Sequence, residues 1–520
     1  PFRVRAYRNA ARAVSGLSRN VRDLVQNNED LTQYSGIGKD LAAKIQEVVQ
    51  TGSLQTLEKA RQRISPELVS LMHIQGLGPK RVKALHQKLG VNSIQDLQQA
   101  AASGKVAQLS GFGSKTQESI LEEIERFQGQ ELRFKLARVE DIALSLKEYL
   151  ARTEGVHQAV VAGSFRRRKE TVGDLDILVT GTKAAQVMQV FVHYEDVGQV
   201  LSHGETKSSV ILKNGLQVDV RFVPEESFGA ALHYFTGSKA HNIAVRKLAL
   251  DRGFKVNEYG VFADQKQIAG KSEEEVYASV DLPYIEPELR EDRGEFDAAA
   301  AGNLPDLVRL QDLRGDLHVH TTATDGRNTL EELAQAAKER GYAYLGITDH
   351  TRNLSMVGGL GPKDLARQID AIDELNARLS GIQLLKGSEV DILKDGSLDL
   401  PDWILKKLDF CVCSIHTIFT LSRKQQTERV LRAMDNPSFS IFGHPSGRLI
   451  GSRQAYDIDM DRVLHGAKER GCFLELNSQP DRLDLDDIYC KAAKEMEVKV
   501  AISSDAHQVS NLDLLRFGGG

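Results

Sequence analysis

The chain has 520 residues, 41% of them hydrophobic, and 67 Lys+Arg against 72 Asp+Glu give a formal net charge of −5. That length exceeds a single hydrophobic core and predicts about three or four domains. The composition excludes collagenous, low-complexity and disulfide-dense classes. No apolar run reaches membrane-spanning length and no signal peptide is visible, so a cytoplasmic protein without a membrane partner is expected. Four cysteines (Cys411, Cys413, Cys472, Cys490) fall in the last quarter. They read as reduced thiols, Cys411 and Cys413 on one side of a buried strand. The chain opens at Pro1 and closes on "RFGGG", and further native residues are expected at both ends.

Charge is unevenly spread. Residues 1–130 carry 18 Lys+Arg against 12 Asp+Glu, and the remainder 49 against 60. A basic front suits a polyanion and an acidic rear suits cations. The front reads as helices broken by one recurring turn, Gly-apolar-Gly, in "YSGIGKDLAAKI", "IQGLGPKRVKAL" and "LSGFGSKTQESI". The glycines are Gly36 and Gly38, Gly76 and Gly78, and Gly111 and Gly113. Paired glycines permit a tight turn and let backbone N–H groups approach an anion at the next helix N-terminus. One copy alone would read as a glycine-capped helical hairpin. Three copies in a basic region predict helix-hairpin-helix elements that hold a nucleic-acid backbone without reading its sequence.

From 131 to about 290, helices mix with strands. In "GSFRRRKETVGDLDILVT", Asp174 and Asp176 share one face of a strand whose other face is apolar, and "LQVDVRFV" adds Asp219. Adjacent carboxylates repel unless a cation sits among them. Two magnesium ions about 4 Å apart would stabilise the attacking and leaving oxygens of a phosphoryl displacement. Gly163-Ser164 and Arg166-Arg167 upstream, within the basic run Arg166–Lys169, are expected to hold nucleotide phosphates.

These motifs resemble the nucleotidyltransferase signature of family X DNA polymerases, the DNA polymerase beta kind. "HYFTGSKAHNIAVRKLALDRGFKVNEYGVF" is similar to that family's nucleotide-binding thumb, and residues 1–130 to its two DNA-gripping subdomains. The resemblance implies metal binding by Asp174, Asp176 and Asp219, with Mg2+ or Mn2+ as cofactor. It further implies triphosphate contacts from Gly163, Ser164, Arg167 and Gly173, and nucleotide contacts from Gly237. Tyr234 and Phe235 would pack on the sugar, Asn242 would meet the base, and Arg246 the template strand. Lys44 matches the lysine with which some relatives form a Schiff base to an abasic sugar, a 5'-deoxyribose-phosphate lyase nucleophile. The neighbouring Asp40 and Thr56 depart from that basic pocket.

The segment "DLPYIEPELREDRGEFDAAAAGNLPDL" reads as a linker. Beyond it, apolar runs alternate with helical segments, the pattern of βα units and a barrel. His318, His320, Asp325, His350, Glu389, His416, His444, Asp505 and His507 stand at or near the carboxyl ends of those runs. In a βα barrel that gathers them at one mouth, and imidazole and carboxylate ligands without thiolate favour zinc, manganese or iron. His465 reads as an ordinary surface residue. The set resembles the polymerase and histidinol phosphatase (PHP) domain. The resemblance implies up to three Zn2+, Mn2+ or Fe2+ ions, a distorted seven-stranded barrel, and Arg448 and Arg482 on substrate phosphate.

The expected fold is therefore multidomain α/β and α+β. Residues 1–70 form a lyase-like helical domain, 71–130 a helix-hairpin-helix subdomain, 131–223 the palm, 224–290 the thumb, 291–312 a linker and 313–520 the PHP domain. The expected function is a monomeric DNA-directed DNA polymerase that fills short gaps in base excision repair, using deoxynucleoside triphosphates on gapped or primed DNA. Its C-terminal site would act as a 3'–5' exonuclease, with AP endonuclease and 3'-phosphatase action as extensions. The alternative is a DNA-end binder or small-metabolite phosphatase with a weak polymerase site.

Overall fold

The computed structural model describes residues 133–519 throughout, and before them residues 6–7, 10–11, 13–14, 17, 21–34, 36–57, 68, 71, 77–109, 111–113, 116–118 and 120–121. The chain divides into two compact units, one of residues 1–15, 21–133 and 213–216, the other of 16–20, 134–212 and 217–520. Each is described by itself.

The first unit is helical. Helices Lys39–Thr51 and Pro79–Leu89 start after Gly38 and Gly78 and stop at left-handed Gly52 and Gly90. Helix Ile94–Ala102 is held at its start by a capping box between Ser93 and Asp96. Leu71, Leu77, Leu85, Leu97, Val106 and Phe112 form one core beneath the last two of these helices.

The second unit begins with a five-stranded sheet. Its order is Val156–Val161, Asp174–Gly181, Gln217–Phe222, Lys207–Leu212 and Val197–His203. The two carboxylate strands lie side by side and parallel, and the remaining pairings are antiparallel. Leu175, Ile177, Leu178 and Val179 are all buried, so the strand "DLDILVT" is covered on both faces beyond Asp176.

Helices Phe228–Thr236 and Lys239–Asp251 and the hairpin strands Phe254–Asn257, Gly260–Ala263 and Lys266–Ala269 follow. Their core includes Val245, Val261, Val276, Tyr277 and Ile285. Ala299, from the segment expected to be a linker, belongs to the same core, with Phe296 and Leu304 packed on it. Phe296 stacks on His241 at 4.6 Å, and Glu295 bonds the same imidazole at 2.8 Å. The expected linker is corrected accordingly: its first half completes the thumb, because its few apolar residues fall where the thumb core is open.

A buried network ties thumb to palm. Glu273 accepts from Arg166 at 2.9 and 2.6 Å and pairs with Arg290 at 2.5 Å. Arg290 is fully buried between the rings of Tyr277 and Tyr284, 5.2 and 5.1 Å away.

The last domain has parallel strands in the order Gly315–Val319, Tyr344–Ile347, Gln383–Lys386, then Glu389–Asp391, Val412–Ser414, Ile441–Phe442, Phe473–Asn477 and Val500–Ser503. Gln383–Lys386 and Glu389–Asp391 are one strand interrupted at Gly387, where a Cβ would meet the Phe410 ring at 2.7 Å. A bridge from His350 to Glu389 spans the interruption, and a bridge from Val319 to Ala506 joins the first strand to the end of the last. The resulting ring of seven strands is compatible with a distorted barrel. Amphipathic helices, including Leu330–Glu339, Pro362–Asn376, Arg423–Met434 and Met460–Arg470, alternate with the strands. Cys411 and Cys413 sit in its core, and burial pushes the Cys411 thiol up to about 12. Among the described residues no helix is long and apolar enough to cross a membrane.

Burial opposes ionisation of Glu273, but Arg166 and Arg290 outweigh it and hold the carboxyl down at about 2. The stabilisation it gives is thus present above its ordinary value of 4.5 and lost as pH falls toward 2. Glu273→Ala, which strands the buried guanidinium of Arg290 and the half-buried one of Arg166, should cost about 3–5 kcal/mol. The check is a lowered thermal transition of the thumb at pH 7.

Candidate active sites

In the palm, the parallel register sets Asp176 directly opposite Asp219, with Asp174 two residues earlier on the same face. Gly163 lets the chain pass close to this face: it has φ 65°, and a Cβ there would lie 3.1 Å from Asp176 Oδ2. Burial first, then the charges of Asp174 and Asp219, push the Asp176 carboxyl up to about 7. Lys207 Nζ stands 4.0 Å from Asp219, which also accepts from Gln217 at 3.2 Å. Arg221 and Lys207 oppose the shift of Asp176 without overcoming it, and three acids on one face of the paired strands fit divalent cations.

Ser164 lies in the short helix Gly163–Arg166 that packs on the Asp174–Gly181 strand, and Gly173 immediately precedes that strand. Tyr234 and Phe235 close one thumb helix, Gly237 caps it, and Asn242 and Arg246 ride on the next. Asn242 donates to the Tyr234 carbonyl at 2.6 Å, and its Oδ1 is buried without a partner. Arg246 lies over the Tyr234 ring at 5.8 Å and donates to the Asn242 carbonyl. Phe235 packs on the palm core around Ala162 and Leu178, with Arg221 over its ring at 4.4 Å.

Within the basic run, Arg166 is engaged by protein rather than turned to a nucleotide, which corrects its reading from sequence. Arg166 chelates Glu273, and Arg167 pairs with Glu291 at 2.8 Å and donates to the Thr236 carbonyl. Arg168 donates to the Arg516 carbonyl at 2.6 Å, and Lys169 reaches Asp487 at 3.5 Å. Fixed positive charge beside the acids therefore ties the palm to the thumb and the barrel. Arg167 lies near the nucleotide candidates, its Nη1 3.2 Å from a Cβ built on Gly237.

In the first unit, Gly36, Gly111 and Gly113 have φ of 90, 89 and 73°, values that only glycine adopts freely. Nothing lies within 4 Å of a Cβ at Gly38 or Gly78, so both helix starts are open. Gly76 lies outside the described residues. Lys44 is salt-bridged to Asp40 and sits 5.3 Å over the Tyr7 ring. Hydrogen bonds that its ammonium donates to Asp40 and Tyr7 raise it above the ordinary value, the opposite of what a Schiff-base nucleophile needs.

The barrel gathers all nine expected ligands. Donor atoms converge within 4.8 Å in three sets: His320, Asp325, His350 and His507; His318, His320 and Asp505; and His350, Glu389 and His416. Among the described residues these are the sets so close, and the palm acids are not one of them. His444 completes the cluster, its Nε2 2.9 Å from Glu389. Glu389, 1% exposed, also lies 2.9 Å from His350, 3.2 Å from His416 and 3.4 Å from His318. Burial alone would lower His350 and His416, but Glu389 and its fellow carboxylates lift them to about 10 and about 9. His318 likewise rises well above its usual value through Glu475, Asp505 and Glu389. His320 moves down, from burial and the surrounding imidazoles. His318 Nε2 and both ring nitrogens of His320 are buried without hydrogen-bond partners. Unpartnered nitrogens in a field of carboxylates are what divalent ions would satisfy, so the residues fit metals here.

Sequence reasoning missed the residues that aim these ligands. Glu475 meets His318 Nδ1 at 2.6 Å and accepts from the His444 backbone. Asp391 meets His416 Nδ1 at 2.5 Å. Asp349 accepts from Thr321, Thr324 and Gln368. The available signal was a lone carboxylate inside the apolar run "CFLELN", since a buried charge requires a partner. Arg448 is also corrected: it donates to the carbonyls of Arg482 and Leu483 and pairs with Glu170 at 2.7 Å, engaged by protein rather than turned to a substrate. Arg482 does reach the site, 3.5 Å from Asp505, with a buried, unpartnered Nη1. His465 is exposed and bonds its own helix.

Five family models match in order: two helix-hairpin-helix domains at 1–54 and 68–126, the DNA polymerase beta palm at 136–246 and thumb at 231–291, and the PHP domain at 316–479. The chain is 37% identical to the DNA polymerase/3'-5' exonuclease PolX of Bacillus subtilis (strain 168), over 100% of its own length and 90% of the relative's. A probable phosphatase of Thermoanaerobacter sp. (strain X514) is 34% identical over 39% of this chain and 81% of its own. A solved ternary complex of Leishmania infantum polymerase beta covers 43% of this chain and 98% of that one, with TM-score 0.37 and 20% identity. The chain belongs to the family X DNA polymerases that carry a C-terminal PHP domain. It is a DNA-binding, metal-dependent enzyme with polymerase and phosphoesterase halves.

Two outcomes follow. Glu475→Gln should weaken metal binding in the barrel by about 10- to 100-fold, measured by calorimetric titration of Mn2+ into metal-stripped protein. Lys44→Ala should leave borohydride trapping of 5'-deoxyribose-phosphate DNA at the wild-type level.

Proposed function

We propose that the protein fills short gaps in DNA during base excision repair and trims 3' ends at a second, separate site. The observation that carries this reading is the presence in one unit of two independent ligand sets, three carboxylates on paired palm strands and nine imidazoles and carboxylates at the barrel mouth. At the palm, Asp174, Asp176 and Asp219 would hold two Mg2+ or Mn2+ ions. In the barrel, the three converging sets would hold up to three Zn2+, Mn2+ or Fe2+ ions. When bound, such cations stabilise the attacking and leaving oxygens of phosphoryl transfer and activate water toward a phosphodiester.

The protein's own residues do the rest. Gly163, which lies against Asp176, would seat the triphosphate of an incoming deoxynucleotide together with Ser164, Gly173 and Arg167. Tyr234, Phe235 and Gly237 would bound the sugar, Asn242 would present its amide to the base, and Arg246 would meet the template. The open helix starts behind Gly38 and Gly78, with Gly36, Gly76, Gly111 and Gly113, would hold backbone phosphates of gapped or primed DNA. In the barrel, Glu475 and Asp391 fix the imidazoles of His318 and His416, and Arg482 offers its unpartnered nitrogen toward a phosphate. AP endonuclease and 3'-phosphatase action would use the same mouth. We take the protein as a cytoplasmic monomer; its buried thiols favour a reducing compartment.

Asp219→Ala should lower primer extension on gapped DNA by more than about 100-fold and leave 3'–5' degradation intact. His318→Ala should do the reverse. Extension that survives in the first variant, or degradation in the second, would remove the corresponding assignment.

A further inference from the structure

Beside the barrel's metal ligands lies a cleft of about 600 Å³ lined by Asn353, Leu393, Lys394, Asp395, Thr417 and Ile418. Thr417 directly follows the ligand His416, and Asn353 donates at 2.7 Å to Asp391, the carboxylate that aims His416. The cleft thus adjoins the segment that carries His416, and its volume lies in the usual range for small-molecule sites.

Its walls are fixed from behind. Arg429, 2% exposed, donates to the Leu393 carbonyl at 2.9 Å and to the Ile392 carbonyl on one wall. On the other it donates to the carbonyls of Thr417 at 3.1 Å and Ile418 at 3.5 Å. Ile418 has φ 61°, a left-handed conformation that a β-branched residue rarely takes, and its side chain is left 41% exposed. Strain of this kind persists where the surroundings over-determine it, and functional sites are where it gathers. The one acid on the rim, Asp395, is occupied by the backbone and hydroxyl of Ser397 at 3.0 and 2.7 Å. The rim also carries the exposed ammonium side chain of Lys394.

We propose that this cleft seats the base and sugar of the 3'-terminal nucleotide whose phosphodiester is cleaved, a specificity subsite of the barrel. The inference rests on the exonuclease reading given above. An end nucleotide lifted from its partner strand presents an aromatic face and a wet edge. Leu393 and Ile418 offer that face an apolar wall, Asn353 and Thr417 offer amide and hydroxyl groups to the edge, and Lys394 offers charge to the adjoining phosphate. No residue here reads one base against another, so the subsite would accept any base and discriminate against a terminus lacking one.

The test compares wild type with Ile418→Gly, which keeps the backbone conformation and removes the wall, on DNA ending in a normal nucleotide or in a tetrahydrofuran abasic residue. The variant should raise KM on the normal end by about fivefold to tenfold, with a smaller change in kcat. It should also lose the wild-type preference for the base-bearing end. Lys394→Ala should raise KM on both ends alike. An Ile418→Gly protein with wild-type KM and wild-type base preference overturns the subsite. So does one in which only kcat falls, since Ile418 would then act through His416. Wild-type protein that degrades neither end would overturn the exonuclease reading itself, and the subsite with it.

Discussion

Glu389 is the point on which the barrel turns. Its carboxylate is buried, and five imidazoles from four strand ends crowd around it. A lone buried charge costs several kcal/mol, so the cluster is tolerable only when positive charge is shared among its members. Glu389 and its fellow carboxylates drive His318, His350 and His416 upward, toward the protonated form that would supply that charge. Cations would supply it more fully, and would displace those protons. The strand interruption at Gly387 serves this centre. It lets the chain shift between Lys386 and Glu389 so that Glu389 pairs with His350 at the mouth instead of continuing the first sheet.

The same rule, that buried or crowded charge must find a partner, explains why the polymerase half and the PHP half form one unit. Arg168, Lys169 and Glu170 leave the palm's nucleotide element and contact Arg516, Asp487 and Arg448 of the barrel. Lys135 pairs with Asp481, Arg293 with Asp487 and Arg516 with Glu140. Exposed pairs of this kind contribute little singly. Glu170 and Arg448 matter more by position, because Arg448 also holds the loop that carries Arg482 to the ligand Asp505.

Much of this was legible in the sequence. The alternation in "GDLDILV" places Asp174 and Asp176 on one face, and position at strand ends was enough to bring nine ligands to one mouth. What was hidden concerns partners distant in the chain. The pair Arg166-Arg167 reads as phosphate-binding because composition cannot show that Glu273 and Glu291 arrive beside it. The linker reading failed for a similar reason: alanines and acids look solvated until Glu295 and Ala299 meet His241 and the thumb core. Arg448 looked like a substrate contact until the carbonyls of Arg482 and Leu483 came within reach. Glu475 escaped because a carboxylate in an apolar run carries no spacing rule, only a need for a partner.

The most direct measurement is anomalous diffraction from crystals of the full chain soaked in Mn2+. Separate peaks are expected within ligand distance of His318 and Asp505, of Asp325 and His507, and of Glu389 and His416. A map with no peak at the barrel mouth, or one in which these imidazoles point away from a shared centre, would contradict the metal assignment on which the phosphoesterase half depends.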